Sequence, residues 1–143
     1  MAALEEHHIP GLIDLLSVEF CLDQAALEGA VRTRSTANLI HQHTSIKIDL
    51  FVAGDTPLDA QQLSRRIRVE LDGRSLFVHP PEDILLQKLR WYRKGGEQSD
   101  RQWRGIVGII RVQGGRLDRS YFEANAPILE VTHLLQGAFA AFE

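Results

Sequence analysis

The sequence predicts an α+β fold, a curved mixed sheet of four or five strands backed by early helices and followed by a helical C-terminal part. Three observations predict it. β-rich, alternating stretches concentrate between residues 18 and 79, capped helical patterns dominate residues 80–142, and Asp72-Gly73 stands between two alternating runs as a hairpin signal. A chain of 143 residues, 44% apolar and 24% charged, suffices for one core. The expected organisation is therefore a single domain over 1–143, sheet-rich in 1–79 and helical in 80–143.

Residues 4–16 read as a helix whose apolar stripe is Leu12, Leu15 and Leu16, with Pro10-Gly11 as a break or late start. VEFCL, residues 18–22, is a short strand, after which Asp23 caps a helix bearing Ala26, Leu27, Ala30 and Val31. Strands at 37–43 and 45–52 follow with so little chain between them that a hairpin is the simplest connection. Asp59 opens a helix over 59–66, which leads into RVELDGRSLFVH and its Asp72-Gly73 turn. Pro80-Pro81 forces extended backbone before a helix over 82–94, which Gly95-Gly96 ends. Ser99 with Gln102 forms a capping box for a helix bearing Trp103, Ile106, Val107 and Ile110, ended at Gly114-Gly115. Helices over 118–126 and 132–142 lie on either side of Pro127. No internal repeat, low-complexity tract or linker interrupts this order.

Sixteen Lys and Arg against nineteen Asp and Glu give a net charge of -3. The chain as a whole therefore has no strong electrostatic footprint for nucleic acid or an anionic membrane, and any anion site must be local. The single cysteine, Cys21, cannot form an internal disulfide, and no apolar run approaches the ~20 residues of a membrane span. The start, MAALEEHH, lacks the basic and apolar regions of a secretory signal. A cytoplasmic protein is expected.

In SIKIDLFV, alternation puts Ile46, Ile48, Leu50 and Val52 on one face and Ser45, Lys47, Asp49 and Phe51 on the other. A mid-strand carboxylate at Asp49 either pairs with Lys47 on a solvated face or projects into a cleft where it holds a metal ion. Lys88 falls three or four residues from Ile84, Leu85, Trp91 and Tyr92, within an apolar stripe. Snorkelling, pairing with a buried carboxylate and a polyphosphate contact are the three explanations of a lysine there. Its neighbourhood, KLRWYRK, concentrates positive charge that also complements a helix C-terminus. His41 and His43 share a strand face and could begin a metal site, although no Cys or third His completes one at a recognisable spacing. No Ser-His-Asp spacing, Walker loop or GxGxxG is present.

From NLIH (residues 38–41) through SIKIDLFV to HPPEDILLQKLRWYRKGGEQSDRQWRGIVGIIRVQGGRLD, the sequence resembles small bacterial nucleotidyltransferase-like proteins, namely the minimal nucleotidyltransferases and the nucleotidyltransferase components of abortive-infection systems. The resemblance implies a sheet on which a Gly-Ser turn and an Asp-x-Asp pair cradle a nucleoside triphosphate and magnesium, with a third carboxylate on the next central strand. Asp49 matches that third carboxylate, as catalytic residue and metal ligand, and Lys88, helped by Lys47, would neutralise phosphate charge. The trio serves because two hard cations clamp the attacking and leaving oxygens of an in-line displacement on phosphorus. This chain has no Gly-Ser turn followed by Asp-x-Asp ahead of Asp49, and Gly105 stands where relatives tend to carry an aspartate. The helix near Leu4 looks like the element that follows the Asp-x-Asp strand, which would end just before Met1. Two expectations follow. Either the start codon lies inside a longer gene, or the protein has lost its triphosphate cradle, is inactive as given, and persists as an interaction module, such as one half of a toxin-antitoxin or defence pair with a small helical partner. An absent strand beside Asp49 would also leave an open sheet edge, through which a homodimer is expected to form.

Overall fold

The computed structural model describes residues 1–141; Phe142, at the end of the last expected helix, lies outside them. The chain divides into two compact units, Met1–Ser64 and Arg65–Glu143.

In the first unit a 3-10 turn at Glu6–His8 leads into α1, Ile9–Leu16, with Pro10 in its first turn, where a missing N–H costs nothing. Strand β1, Phe20–Leu22, is followed by α2, Gln24–Thr33, whose N-terminus Asp23 caps by accepting from the Ala26 N–H at 3.1 Å. Strands β2, Thr36–His41, and β3, Lys47–Phe51, complete an antiparallel sheet in the order β1-β2-β3. Asn38 stands opposite Asp49 and Leu39 opposite Ile48. The face carrying Leu22, Ala37, Leu50 and Val52 packs with Ile9, Leu27, Ala30 and Val31 of the two helices. Full burial of Leu27 contributes about 2 kcal/mol. Helix α3, Pro57–Ser64, starts ahead of the expected Asp59 because Thr56 is its cap. The Thr56 hydroxyl accepts from the Asp59 N–H at 3.2 Å, the Asp59 carboxylate accepts from the Thr56 N–H at 3.3 Å, and Pro57 fills the first helical position. Asp59 is buried against Gly54, where a side chain would have no room.

The second unit opens with the hairpin of β4, Ile67–Leu71, and β5, Arg74–Val78. Its two turn residues both have positive φ, 49° at Asp72 and 73° at Gly73, as a two-residue turn between right-twisted strands requires. Helices α4, Pro81–Lys94, and α5, Asp100–Gln113, then α6, Arg119–Asn125, and α7, Thr132–Ala140, enclose a core centred on Leu85, Leu89, Ile106, Ile110, Phe122 and Val131. Ser99 caps α5 by accepting from the Gln102 N–H. Asp118 caps α6, and bonds from the Ser120 hydroxyl and the Tyr121 N–H hold its carboxyl below the usual range.

The α+β class stands, but the expected single mixed sheet does not: among the described residues the five strands form two antiparallel sheets of three and two. The antiparallel sense has a local reason. Both tight connections are hairpins, which dictate antiparallel neighbours, and parallel pairing is confined to an isolated bridge between Ala2 and Val52. No helix among the described residues is long and apolar enough to cross a membrane.

Candidate functional site: the β3 edge and its surroundings

Alternation along β3 places Asp49 and Lys47 on the face opposite the helices. The Lys47 ammonium lies 3.2 Å from the Asp49 carboxylate, with the two side chains 57% and 50% exposed. This is the solvated pair, an interaction that at such exposure stabilises by about 0–1 kcal/mol.

The main chain of β3 is more distinctive than its charges. The His41 N–H donates to the Ile46 carbonyl and the Val52 N–H to the Ser35 carbonyl, so the even-numbered residues of this strand bond to β2. By the antiparallel alternation, the N–H and C=O groups of Lys47 and Asp49 point the other way. No strand among the described residues lies there. Further along, Ala2 occupies the same edge: its N–H donates to the Phe51 carbonyl and its carbonyl accepts from the Ala53 N–H, both at 2.8 Å.

Arg34 fixes that N-terminal segment. Ending α2 in the left-handed region, with φ 49°, it donates to the Leu4 carbonyl at 2.7 Å and ion-pairs with Glu5 at 3.0 Å and Asp55 at 2.9 Å. Hydrogen bonds to Glu5 and Asp55 raise its pKa above the ordinary guanidinium value. The guanidinium also forms part of the wall of a 540 Å³ cleft with Glu5, Glu6, His7, Arg32 and Asp55, where its charge is already matched by carboxylates.

Magnesium takes six oxygens in near-octahedral geometry, usually one or two carboxylates plus phosphate and water. Asp49 supplies one carboxylate, already engaged with Lys47, and among the described residues no group of three or more His, Cys, Asp or Glu is arranged to hold a metal ion. The donor set beside Asp49 does not fit a two-cation clamp. His41 ends β2 and His43 lies in the turn beyond it, their ring centroids 6.0 Å apart, with His41 Nδ1 bonded to the Thr44 hydroxyl at 2.8 Å.

Lys88 belongs to the second unit, on α4, and is exposed rather than sunk in the apolar stripe. The reason is a side-chain direction: its Nζ lies over α5, 3.7 Å from where a Cβ on Gly105 would sit. Of the positive cluster that follows, Arg93 is consumed by the Leu129 and Glu130 carbonyls and the Glu130 carboxylate, and Lys94 stacks over Trp91 at 5.0 Å. Lys47 and Asp49 are thus brought together, within the first unit, and Lys88 stands in the second.

A polar network in the second unit escaped the sequence reading. Asp83, 1% exposed, accepts from the Tyr121 hydroxyl and from Arg65 Nε at 3.0 Å. Arg65 stacks over the Tyr121 ring at 3.9 Å, and Glu82 accepts from the Asp118 N–H at 3.0 Å. Burial is the largest single influence and opposes the Arg65 charge, but the hydrogen bond to Asp83 together with charge interactions with Asp83, Tyr121 and Glu82 outweighs it, and the pKa rises. Two acids after Pro80-Pro81 look like solvated first-turn residues. The available signal was spacing: Glu82 precedes Leu85 and Leu86 by three and four residues, and Asp83 precedes Leu86 by three, so both lie on the buried stripe.

The chain matches no protein-family model, no curated protein and no solved structure.

Proposed function

We propose that this chain is a non-catalytic interaction module on a nucleotidyltransferase-like scaffold. The observation that carries the reading is the setting of Asp49, a carboxylate paired with Lys47 on an exposed strand face beside an open sheet edge. Nucleotidyl transfer asks several carboxylates to hold hard cations against a triphosphate, and one half-exposed aspartate shared with an ammonium holds a cation weakly. A protein partner asks only for surface, and the exposed strand face that carries Lys47 and Asp49 supplies it. The partner class is the small helical protein of a toxin-antitoxin or defence pair.

Calorimetric titration of magnesium with ATP or GTP into this chain, alongside Asp49→Asn, tests the reading. Neither protein is expected to give heat beyond dilution. Magnesium-dependent binding that disappears in Asp49→Asn would overturn it. The catalytic alternative, nucleotidyl transfer with magnesium on Asp49 and the triphosphate met by Lys88 and Lys47, would then take its place.

A further inference from the structure

The geometry points to self-association of this chain through β3, two copies joining edge to edge across a two-fold axis at Ile48 to make one six-stranded antiparallel sheet. The inference stands on the edge geometry and not on the nucleotidyltransferase-like reading, which the magnesium titration decides separately.

Three features of the strand specify the pairing. The first is direction. Only the odd-numbered residues Lys47 and Asp49 offer outward N–H and C=O groups, because the residues between them bond to β2. An antiparallel partner must therefore set its own odd-numbered residues opposite these, which restricts the register to alternate positions.

The second feature is charge. Among the permitted symmetric registers, Lys47 opposite its own copy would oppose two ammonium groups, and Asp49 opposite its own copy would oppose two carboxylates. With Ile48 on the axis, Lys47 of each copy faces Asp49 of the other. The four charges become an alternating set, and the two odd-numbered pairs form four main-chain hydrogen bonds. The strand is self-complementary in this register and self-repelling in the neighbouring ones.

The third is the apolar face. Ile46 is 60% exposed and Ile48 42% exposed, although both lie on the face that elsewhere packs against helices. The same register sets Ile48 beside Ile48 and Ile46 beside Leu50 of the other copy, covering both. The ladder is also bounded: Ala2 holds the Phe51 carbonyl, so residues 46–50 are the stretch left for a partner.

Sedimentation velocity of the purified chain across a hundredfold range of concentration tests the inference, with Lys47→Glu, Asp49→Lys and the double exchange run in parallel. The wild-type chain is expected to pass from monomer to dimer as concentration rises. Each single reversal places two like-charge pairs across the axis and is expected to raise the dissociation constant at least about tenfold. Together they restore the alternation and return it to within about threefold of wild type. Circular dichroism melts confirm that every variant folds, as expected for changes in an exposed pair. A chain monomeric at every concentration would overturn the inference, as would a dimer that persists through both single reversals or one that the double exchange fails to restore.

Discussion

Asp83 carries a carboxylate where almost no water reaches it, and what makes this tolerable is the pair of donors it holds, the Arg65 guanidinium and the Tyr121 hydroxyl. Removing one member of such a set leaves the others desolvated without compensation. Asp83→Ala is expected to cost about 3 kcal/mol, at the low end for a buried pair because Arg65 is still 32% exposed. Tyr121→Phe, which removes one hydrogen bond to a charged acceptor, is expected to cost about 2 kcal/mol. Lys47→Ala, from an exposed pair, is expected to cost under about 0.5 kcal/mol. Urea midpoints at unchanged m-values measure all three. If Asp83→Ala costs no more than Lys47→Ala, the network has no structural weight.

Between α4 and α5 a glycine takes the place a side chain could fill. Gly105 sits in the interior of α5 with ordinary helical backbone, so nothing about its conformation demands glycine, and the atom nearest a new Cβ is the mobile end of Lys88. Gly105→Ala is expected to raise stability by about 0.5–1 kcal/mol through helix propensity. Gly105→Asp has poorer propensity but sets a carboxylate beside the Lys88 ammonium, and is expected to match or exceed the alanine variant at low salt and to lose that advantage at high salt. Thermal melts at two ionic strengths check both. The element scale is also where the sequence was most informative. Asp23, Ser99 and Gly95 mark real helix ends, and Asp72-Gly73 marks a real hairpin, because caps and turns act within a few residues. Thr56 went unread as a cap because its reciprocal partner is Asp59 rather than the usual Glu or Gln. The Lys47–Asp49 pair was legible from alternation alone, whereas the Asp83 network was not, since Arg65 and Tyr121 reach it from elements distant in sequence.

At the scale of the whole molecule, how five strands are shared between sheets depends on contacts that no local pattern encodes, and this is where the single mixed sheet failed. The division at Ser64 instead gives two cores of unequal size. Among the described residues nine apolar side chains are buried in the first unit, three of them alanines, against fourteen in the second. The first also presents its open β3 edge, with neighbouring residues exposed on both faces. Fewer buried apolar groups mean less free energy opposing local opening. Amide exchange followed by mass spectrometry is expected to show residues 20–51 exchanging before residues 85–139 in mild denaturant, and equal protection of both would contradict this. The same division sorts the optically useful side chains. Both tryptophans, Trp91 and Trp103, lie beyond Ser64, while the sole thiol, exposed Cys21, lies before it. Native fluorescence at long wavelength therefore watches one half of the molecule, and a dye coupled to the cysteine watches the other, so a single unmutated sample carries a reporter of its own in each half.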